Sequence, residues 1–361
     1  MNFDFSDEQR ELRDQVRRFL AQHASPRSAI AAGGHDPALW RGMAELGLLG
    51  IAIPEEYGGA GAGYLELCVV AEEVGRALAP VPFSSSACLA AEFILQAGSE
   101  AQKRAWLPRL ADGTAIAVFA AVEGVGDAAP DRIAATVSGG RLTGIKSPVL
   151  DGGVADLGIV AARGADGIGL YLVDLRGAGV ARSGLDSMDP TRSLVEIRFE
   201  GAPAEPLGEA GWDTVERMLD RAAVPLAFEQ VGGADRALEM ARDYALERVA
   251  FGRPIGSFQA VKHMLADMYV SATLARSNAY WAAWALATDA AELGQAAASA
   301  RVSATEAFGH CARNNIQVHG GMGFTWEFDC HLFYRRAALL ATALGGPALW
   351  EDRLVAQLRA A

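Results

Sequence analysis

The run Glu247-Arg248-Val249-Ala250-Phe251-Gly252-Arg253-Pro254-Ile255-Gly256-Ser257-Phe258-Gln259 sets a guanidinium, two phenyl rings and an amide on one corner between apolar-periodic segments. These are the parts needed to hold a nucleotide. Arg248 can fork onto a pyrophosphate, and Phe251 and Phe258 offer ring faces to a heterocycle. Gly252, Pro254 and Gly256 stiffen the turn. A plain interhelical loop with a surface ion pair would use similar residues. A second stretch favours a site. Gln317-Val318-His319-Gly320-Gly321-Met322-Gly323-Phe324-Thr325 closes another long helical segment with a glycine cluster, where backbone can approach a ligand that a Cβ would exclude. His319 is read only as part of that cradle, because a lone histidine at a helix end more often serves the fold.

Other chemistries find no support. The chain has no P-loop, HExxH or GxSxG pattern, and Gly58 to Gly63 does not spell a dinucleotide fingerprint after a strand. Cys68, Cys88, Cys311 and Cys330 are scattered, with no CxxC and no histidine at ligand spacing, so no metal is expected. They read as reduced, packed thiols of a cytoplasmic protein. The net charge of −12 argues against a nucleic-acid footprint. No apolar run reaches spanning length, and the start is a charged amphipathic helix, so neither a membrane span nor a signal peptide is indicated.

The elements that must carry the two corners follow from hydrophobic period. At 361 residues and 51% hydrophobic, the chain has room for two or three domains with real cores. Helical spacing runs through Glu8 to Gln22, Ala38 to Leu46, Tyr64 to Leu78, Ser85 to Ala97 and Glu100 to Asp112. Short β-branched runs then follow: Arg132 to Val137, Gly158 to Ala162, Gly169 to Asp174 and Leu194 to Phe199. From Trp212 long Ala-rich helical patterns return, broken chiefly by the two corners. The expected division is a helical domain over 1–113, a β domain over 114–211 and a helical bundle over 212–361.

The two corners together resemble those of the acyl-CoA dehydrogenase family, whose flavin adenine dinucleotide (FAD) is gripped across a subunit interface. The resemblance extends over nearly the whole chain, through Phe5-Ser6-Asp7-Glu8-Gln9-Arg10 and Leu48-Leu49-Gly50-Ile51-Ala52-Ile53-Pro54-Glu55-Glu56-Tyr57-Gly58-Gly59. It implies an α+β fold with an N-terminal all-α domain, a small middle β-barrel domain and a C-terminal four-helix bundle. It also implies FAD as cofactor, an acyl-CoA substrate and electron-transfer flavoprotein as acceptor. Carried over by position, Arg248 and Phe251 serve the pyrophosphate side and Phe258 and Gln259 follow the turn. Gln317, Val318, His319, Gly320 and Gly321 form the backbone cradle for the adenosine half.

Desaturating an acyl thioester needs a carboxylate at the α-proton, and polarisation of the carbonyl as the β-hydrogen leaves as hydride. Here the chain departs from the family. The family's Thr-Glu-Pro-x-x-Gly-Ser-Asp loop aligns with Ala121-Val122-Glu123-Gly124-Val125-Gly126-Asp127, and its Trp-x-Thr strand with Lys146-Ser147-Pro148-Val149-Leu150-Asp151. Pro148 stands where the ring-covering Trp belongs and Leu150 where the Thr that serves flavin N5 belongs. Neither can do the work. The two family positions of the base hold Leu344 and Ala222, so no catalytic residue is assigned. Glu229 lies seven residues beyond Ala222, on nearly the same helix face but about 10 Å along the axis.

Three readings remain open. One is a subunit that lends FAD-binding residues to a catalytic paralogue in a heteromer. Another is a self-sufficient FAD-dependent enzyme with Glu229 as a relocated base, in a homo-oligomer. The third is a flavin-free scaffold. The stretches Phe251 to His263 and Gly323-Phe324-Thr325-Trp326-Glu327 also resemble actinobacterial members that include steroid-degrading α2β2 heterotetramers, implying a bulky acyl-CoA. A simple fatty acyl chain stays open.

Overall fold

Helix α1 (Asp7–His23) begins where Ser6 can cap it: Ser6 Oγ accepts from the Gln9 amide at 3.2 Å, and Gln9 Oε1 accepts from the Ser6 amide at 3.0 Å. The computed structural model describes residues 6–209 and 211–360, so Phe5 of the opening motif lies outside them. α2 (Pro26–Ala31), α3 (Pro37–Glu45) and α4 (Tyr64–Arg76) follow, then a buried π-helical segment, Ser84–Ala90, which runs into α5 (Ala91–Ala97). The expected single helix from Ser85 to Ala97 is thus two elements. Helix α6 (Glu100–Ala111) repeats the capping exchange between Ser99 and Gln102.

The chain divides into two compact units. One comprises Ser25–Leu67 and Pro80–Ala222 and contains the sheet. Its strands are β1 (Ala117–Ala120), β2 (Thr136–Ser138), β3 (Arg141–Leu150), β4 (Leu157–Gly164), β5 (Gly167–Asp174), β6 (Val180–Gly184), β7 (Leu194–Pro203) and β8 (Glu205–Leu207). They lie in the order β6-β7-β3-β2-β4-β5-β8, with β1 parallel to β4. The path is open, β6 at one end and β8 at the other, so the expected barrel is a sheet that does not close. β4 is the most enclosed strand, with Leu157 to Ala162 buried without a break, as a strand covered on both faces requires. Periodicity located β4, β5 and β7, but passed over the short edge strands and β3, whose register is broken between Lys146 and Val149.

The other unit comprises Met1–Ala24, Cys68–Ala79 and Ala223–Ala361. It takes in most of α7 (Trp212–Glu247), a two-stranded ribbon of β9 (Val249–Ala250) and β10 (Arg253–Pro254), and α8 (Gln259–Ala287). α9 (Leu293–His319), α10 (Cys330–Thr342) and α11 (Pro347–Ala360) complete it. The expected C-terminal bundle is present, with five helices among the described residues rather than four.

Two matching tetrads lock α4 onto α7. Glu72-Glu73-Val74-Gly75 and Glu229-Gln230-Val231-Gly232 cross so that each glycine faces the other helix's glutamate carbonyl. A Cβ on Gly75 would lie 1.8 Å from Glu229 O, and one on Gly232 would lie 1.8 Å from Glu72 O. Only bare Cα atoms permit that approach. Around the crossing, ion pairs fan out to three helices. Glu73 holds Arg17 of α1 at 2.7 and 2.9 Å, Glu72 holds Arg276 of α8 at 2.7 Å, and Arg76 pairs with Glu239 of α7.

Candidate functional site

The Arg248 corner is a miniature β-hairpin. Ala250 pairs with Arg253 and Val249 with Pro254, leaving Phe251 and Gly252 as the two-residue loop at φ +53° and +80°. Such a loop needs positive φ at both positions, which suits Gly252 and costs a bulky residue strain. Phe251 is nevertheless held there, 94% exposed. Strained, water-facing aromatics of this kind point to a contact outside the chain. The Arg248 amide donates to Tyr244 O at 2.8 Å, and its carbonyl accepts from Ile255 at 2.8 Å, so the backbone is fixed while the guanidinium is exposed. That guanidinium makes no ion pair among the described residues. Phe258 is half-buried, its ring meeting Phe251 edge-on at 6.2 Å with the Arg253 guanidinium 4.2 Å from its centroid. Gln259 is exposed at the first turn of α8.

The glycine corner sits at the end of α9. Gln317 is exposed and Val318 and His319 are buried. Gly320 turns the chain at φ +60°, ψ −138°, a conformation closed to side-chain-bearing residues. Nothing lies within 4 Å of a Cβ built on Gly320 or Gly321, so this backbone faces open space. Phe324 and Trp326 beyond it are 75% and 55% exposed.

What joins the corners is a stack the sequence reading did not contain. The Tyr244 ring of α7 lies flat on His319 at 4.1 Å, and Phe328 packs against both, at 5.8 Å from Tyr244 and 5.2 Å from His319. Tyr244 precedes Arg248 by one helical turn, hence on the same face. An aromatic there was the available signal. His319 is more than part of a cradle: its Nδ1 bonds Asn315 O at 2.9 Å and burial holds its proton affinity below the ordinary imidazole value, so the neutral ring acts as a pillar. The structure therefore brings Arg248, Phe251, Phe258, Gln259 and the Gln317 to Gly321 segment to one end of one unit.

The positions expected to face a flavin ring lie in the other unit. Pro148 is exposed where β3 and β7 lose register, as a residue without an N–H requires, and Leu150 is half-buried. Glu123 is committed locally. Its carboxylate pairs with the buried Lys146 at 2.5 Å and accepts from the Ala134 and Ala135 amides at 2.8 and 3.1 Å. Asp151, next after Leu150, is buried in a fork with Arg192, and Ser85 of the π-helical segment donates to it.

At the base positions, Ala222 is buried, and the carbonyl of Leu344 accepts from Trp350 Nε1 at 3.0 Å. Glu229 is fully buried, 3.4 Å from the equally buried Arg336. Beside it Arg301 donates to Gln230, to Thr305 at 2.8 Å and to the Leu340 carbonyl. A base must reach substrate within hydrogen-bond range, and this carboxylate is instead walled into the helix packing. All four cysteines are free and buried, no group among the described residues could ligate a metal, and none of the described helices is long and apolar enough to cross a membrane.

Comparison with known proteins bears on both ends of the chain. The family model described as acyl-CoA dehydrogenase, N-terminal domain, matches residues 6–114, and that described as acyl-CoA dehydrogenase, C-terminal domain, matches residues 209–354. Acyl-CoA dehydrogenase IpdE2 of Mycobacterium tuberculosis is 36% identical over 349 residues, covering 94% of each protein. Among solved structures, a variant of the Tcur3481-Tcur3483 steroid ACAD superposes with a TM-score of 0.90 at 34% identity, over 98% of each chain. The ChsE4-ChsE5 complex from Mycobacterium tuberculosis does so at 0.92 and 30% identity, over 100% of each chain.

Proposed function

Since the chain belongs to the acyl-CoA dehydrogenase family, we propose that it is the subunit of a heteromeric acyl-CoA dehydrogenase that lends FAD-binding residues to a catalytic paralogue. The observation that carries this reading is the contrast between Arg248 and Glu229. The cation that would grip a pyrophosphate faces water without an ion pair among the described residues, whereas the acid that could replace the missing base is sealed against Arg336. Bound FAD supplies the acceptor for the hydride that leaves the acyl β-carbon. This chain's part is to fork Arg248 onto the pyrophosphate, present Phe251 and Gln259, and offer the Gly320–Gly321 backbone to the adenosine half. The Tyr244–His319 stack holds those groups in register.

The exposed surface agrees with a partner. Apart from Leu46, Val125, Leu185 and Met188, every large exposed apolar side chain among the described residues falls between Leu246 and Leu358. Counting ~150–250 Å² for each aromatic, these leave on the order of 1,000 Å² in water. Summed over several helices and both corners, that is comparable to the roughly 800 Å² per partner of a stable interface. A steroid-derived acyl-CoA is the favoured substrate class, since one similar structure is a steroid ACAD and another a two-protein complex. Electron-transfer flavoprotein would take the electrons onward.

Flavin absorbance tests the proposal directly. The chain purified alone is expected to be colourless or substoichiometric in flavin, and co-expression with its paralogue to give a yellow complex. Arg248→Ala in that complex should weaken flavin by about 10²-fold, since an unpaired pyrophosphate costs on the order of 3 kcal/mol. Full flavin occupancy and turnover by the chain alone would overturn the assignment.

A further inference from the structure

The connection between α2 and α3, Ala32 to Asp36, lies across the turn that leads into β7. Gly33 and Gly34 both adopt positive φ, +88° and +89°. A Cβ on the buried Gly34 would sit 3.0 Å from the Arg192 carbonyl carbon, 3.1 Å from the Ser193 amide nitrogen and 3.2 Å from the Pro190 carbonyl oxygen, so backbone here rests on backbone. The connection is thus part of the cover over the buried Asp151–Arg192 fork. Beyond the glycines the Asp36 amide donates to Pro80 O at 3.0 Å, and Asp36 Oδ1 accepts from the Ala38 and Leu39 amides to start α3. His35 sits between these anchors, half-buried. Its ring bonds the Pro80 carbonyl, while Nδ1 is enclosed without a hydrogen-bond partner. The bond therefore belongs to Nε2, and the neutral ring needs its proton there.

We propose that this connection is a latch released by acid, hinged at Gly33 and Gly34 and triggered by His35. A neutral imidazole protonated on Nε2 leaves only a lone pair at Nδ1, which burial tolerates. A second proton turns Nδ1 into a donor, and a buried donor with no acceptor costs far more. The neighbouring carboxylates do not supply one. Asp151, at the end of β3, is held by Arg192 and Ser85, and Asp36 on the connection itself caps α3. Arg192, on the turn beneath, repels a charged ring. Burial accordingly lowers the proton affinity of His35, with Asp151 and Asp36 opposing that effect and Arg192 adding to it. Once the latch swings out, the ring regains the ordinary value of about 6.5, so the open form binds the proton that the closed form refuses. Closure is fully favoured above that pH and is lost as pH falls below it. Two glycines already at positive φ let the connection turn without breaking α2 or α3. The latch uses no residue of the Arg248 or Gly320 corners, so it stands whether or not they hold a flavin.

Hydrogen exchange of the intact chain between about pH 5 and about pH 8, corrected for the pH dependence of the chemical step, reads the latch directly. Opening at Ala32 to Asp36 is expected to rise by about tenfold per unit as pH falls below about 6.5, while the amides of β4 do not respond. His35→Gln keeps a donor for the Pro80 carbonyl but takes up no proton, so its opening should not vary with pH, whatever its level. Independently, imidazole carbon shifts, with His35 identified by its absence from that variant, should show a ring protonated on Nε2 at neutral pH and titrating below about 6.5. Wild-type opening that ignores pH, a pH dependence that survives His35→Gln, or a His35 ring that titrates at or above about 6.5 would each defeat the proposal.

Discussion

Gly232→Ala and Gly75→Ala are each expected to cost at least about 2 kcal/mol of stability, whereas Gly309→Ala should gain up to about 1 kcal/mol. Alanine favours a helix interior over glycine by roughly 1 kcal/mol, so propensity alone would stabilise all three. At Gly309 nothing lies within 4 Å of a new Cβ, and propensity decides. At the crossing it does not. The added carbon would enter to 1.8 Å from a carbonyl oxygen of the facing helix, and neither backbone can rotate aside as a side chain could. Overpacking of ordinary cores costs about 1–3 kcal/mol. Here the helices must also part, loosening the pairs of Glu72, Glu73 and Arg76 at the same contact. Denaturant midpoints of the three variants provide the check, and a midpoint for Gly232→Ala at or above the wild type would refute the crossing as drawn.

Glu229→Gln is expected to reduce stability by about 3–5 kcal/mol, the cost of removing one partner from a buried ion pair. Arg336 would lose the carboxylate 3.4 Å away. Arg301, whose hold on its proton burial already weakens, draws support from the same acid. Were Glu229 a relocated base, the same isosteric change would leave the fold intact and cut turnover by about 10²–10⁴. Thermal melting and single-turnover rates on the same sample therefore separate the two roles. A wild-type melt with a collapsed rate would reinstate Glu229 as the proton acceptor and remove the case for a catalytic paralogue.

The helical, stranded and helical thirds were legible because apolar spacing reports which face of an element is buried. The tight turn at Phe251 and Gly252 was legible because glycines, a proline and an arginine crowd one short stretch. The sheet's edge strands and β3 were not, since strands of three to five residues carry too few alternations and Pro148 breaks the pattern of β3 from within. Glu229 read as a relocated base, and not as half of a buried ion pair, because its partner lies on α10 and no local rule connects residues that far apart. One clue was present. Glu-x-Val-Gly occurs at Glu72 to Gly75 and again at Glu229 to Gly232, and the repeated tetrad marks the two turns that meet.

The crossing also sets a clock within the molecule. Where two helix backbones touch with no side-chain layer between them, the contact opens only when the helices separate, so amides around Gly75 and Gly232 should exchange with deuterated solvent only on global unfolding. The ribbon from Val249 to Pro254 is two residues deep and lies at the surface, and its amides should exchange first. A cofactor seated on Arg248 would slow the second set and leave the first unchanged. Exchange at the ribbon, normalised to exchange at the crossing, would then measure occupancy of the corner in whatever assembly the chain enters.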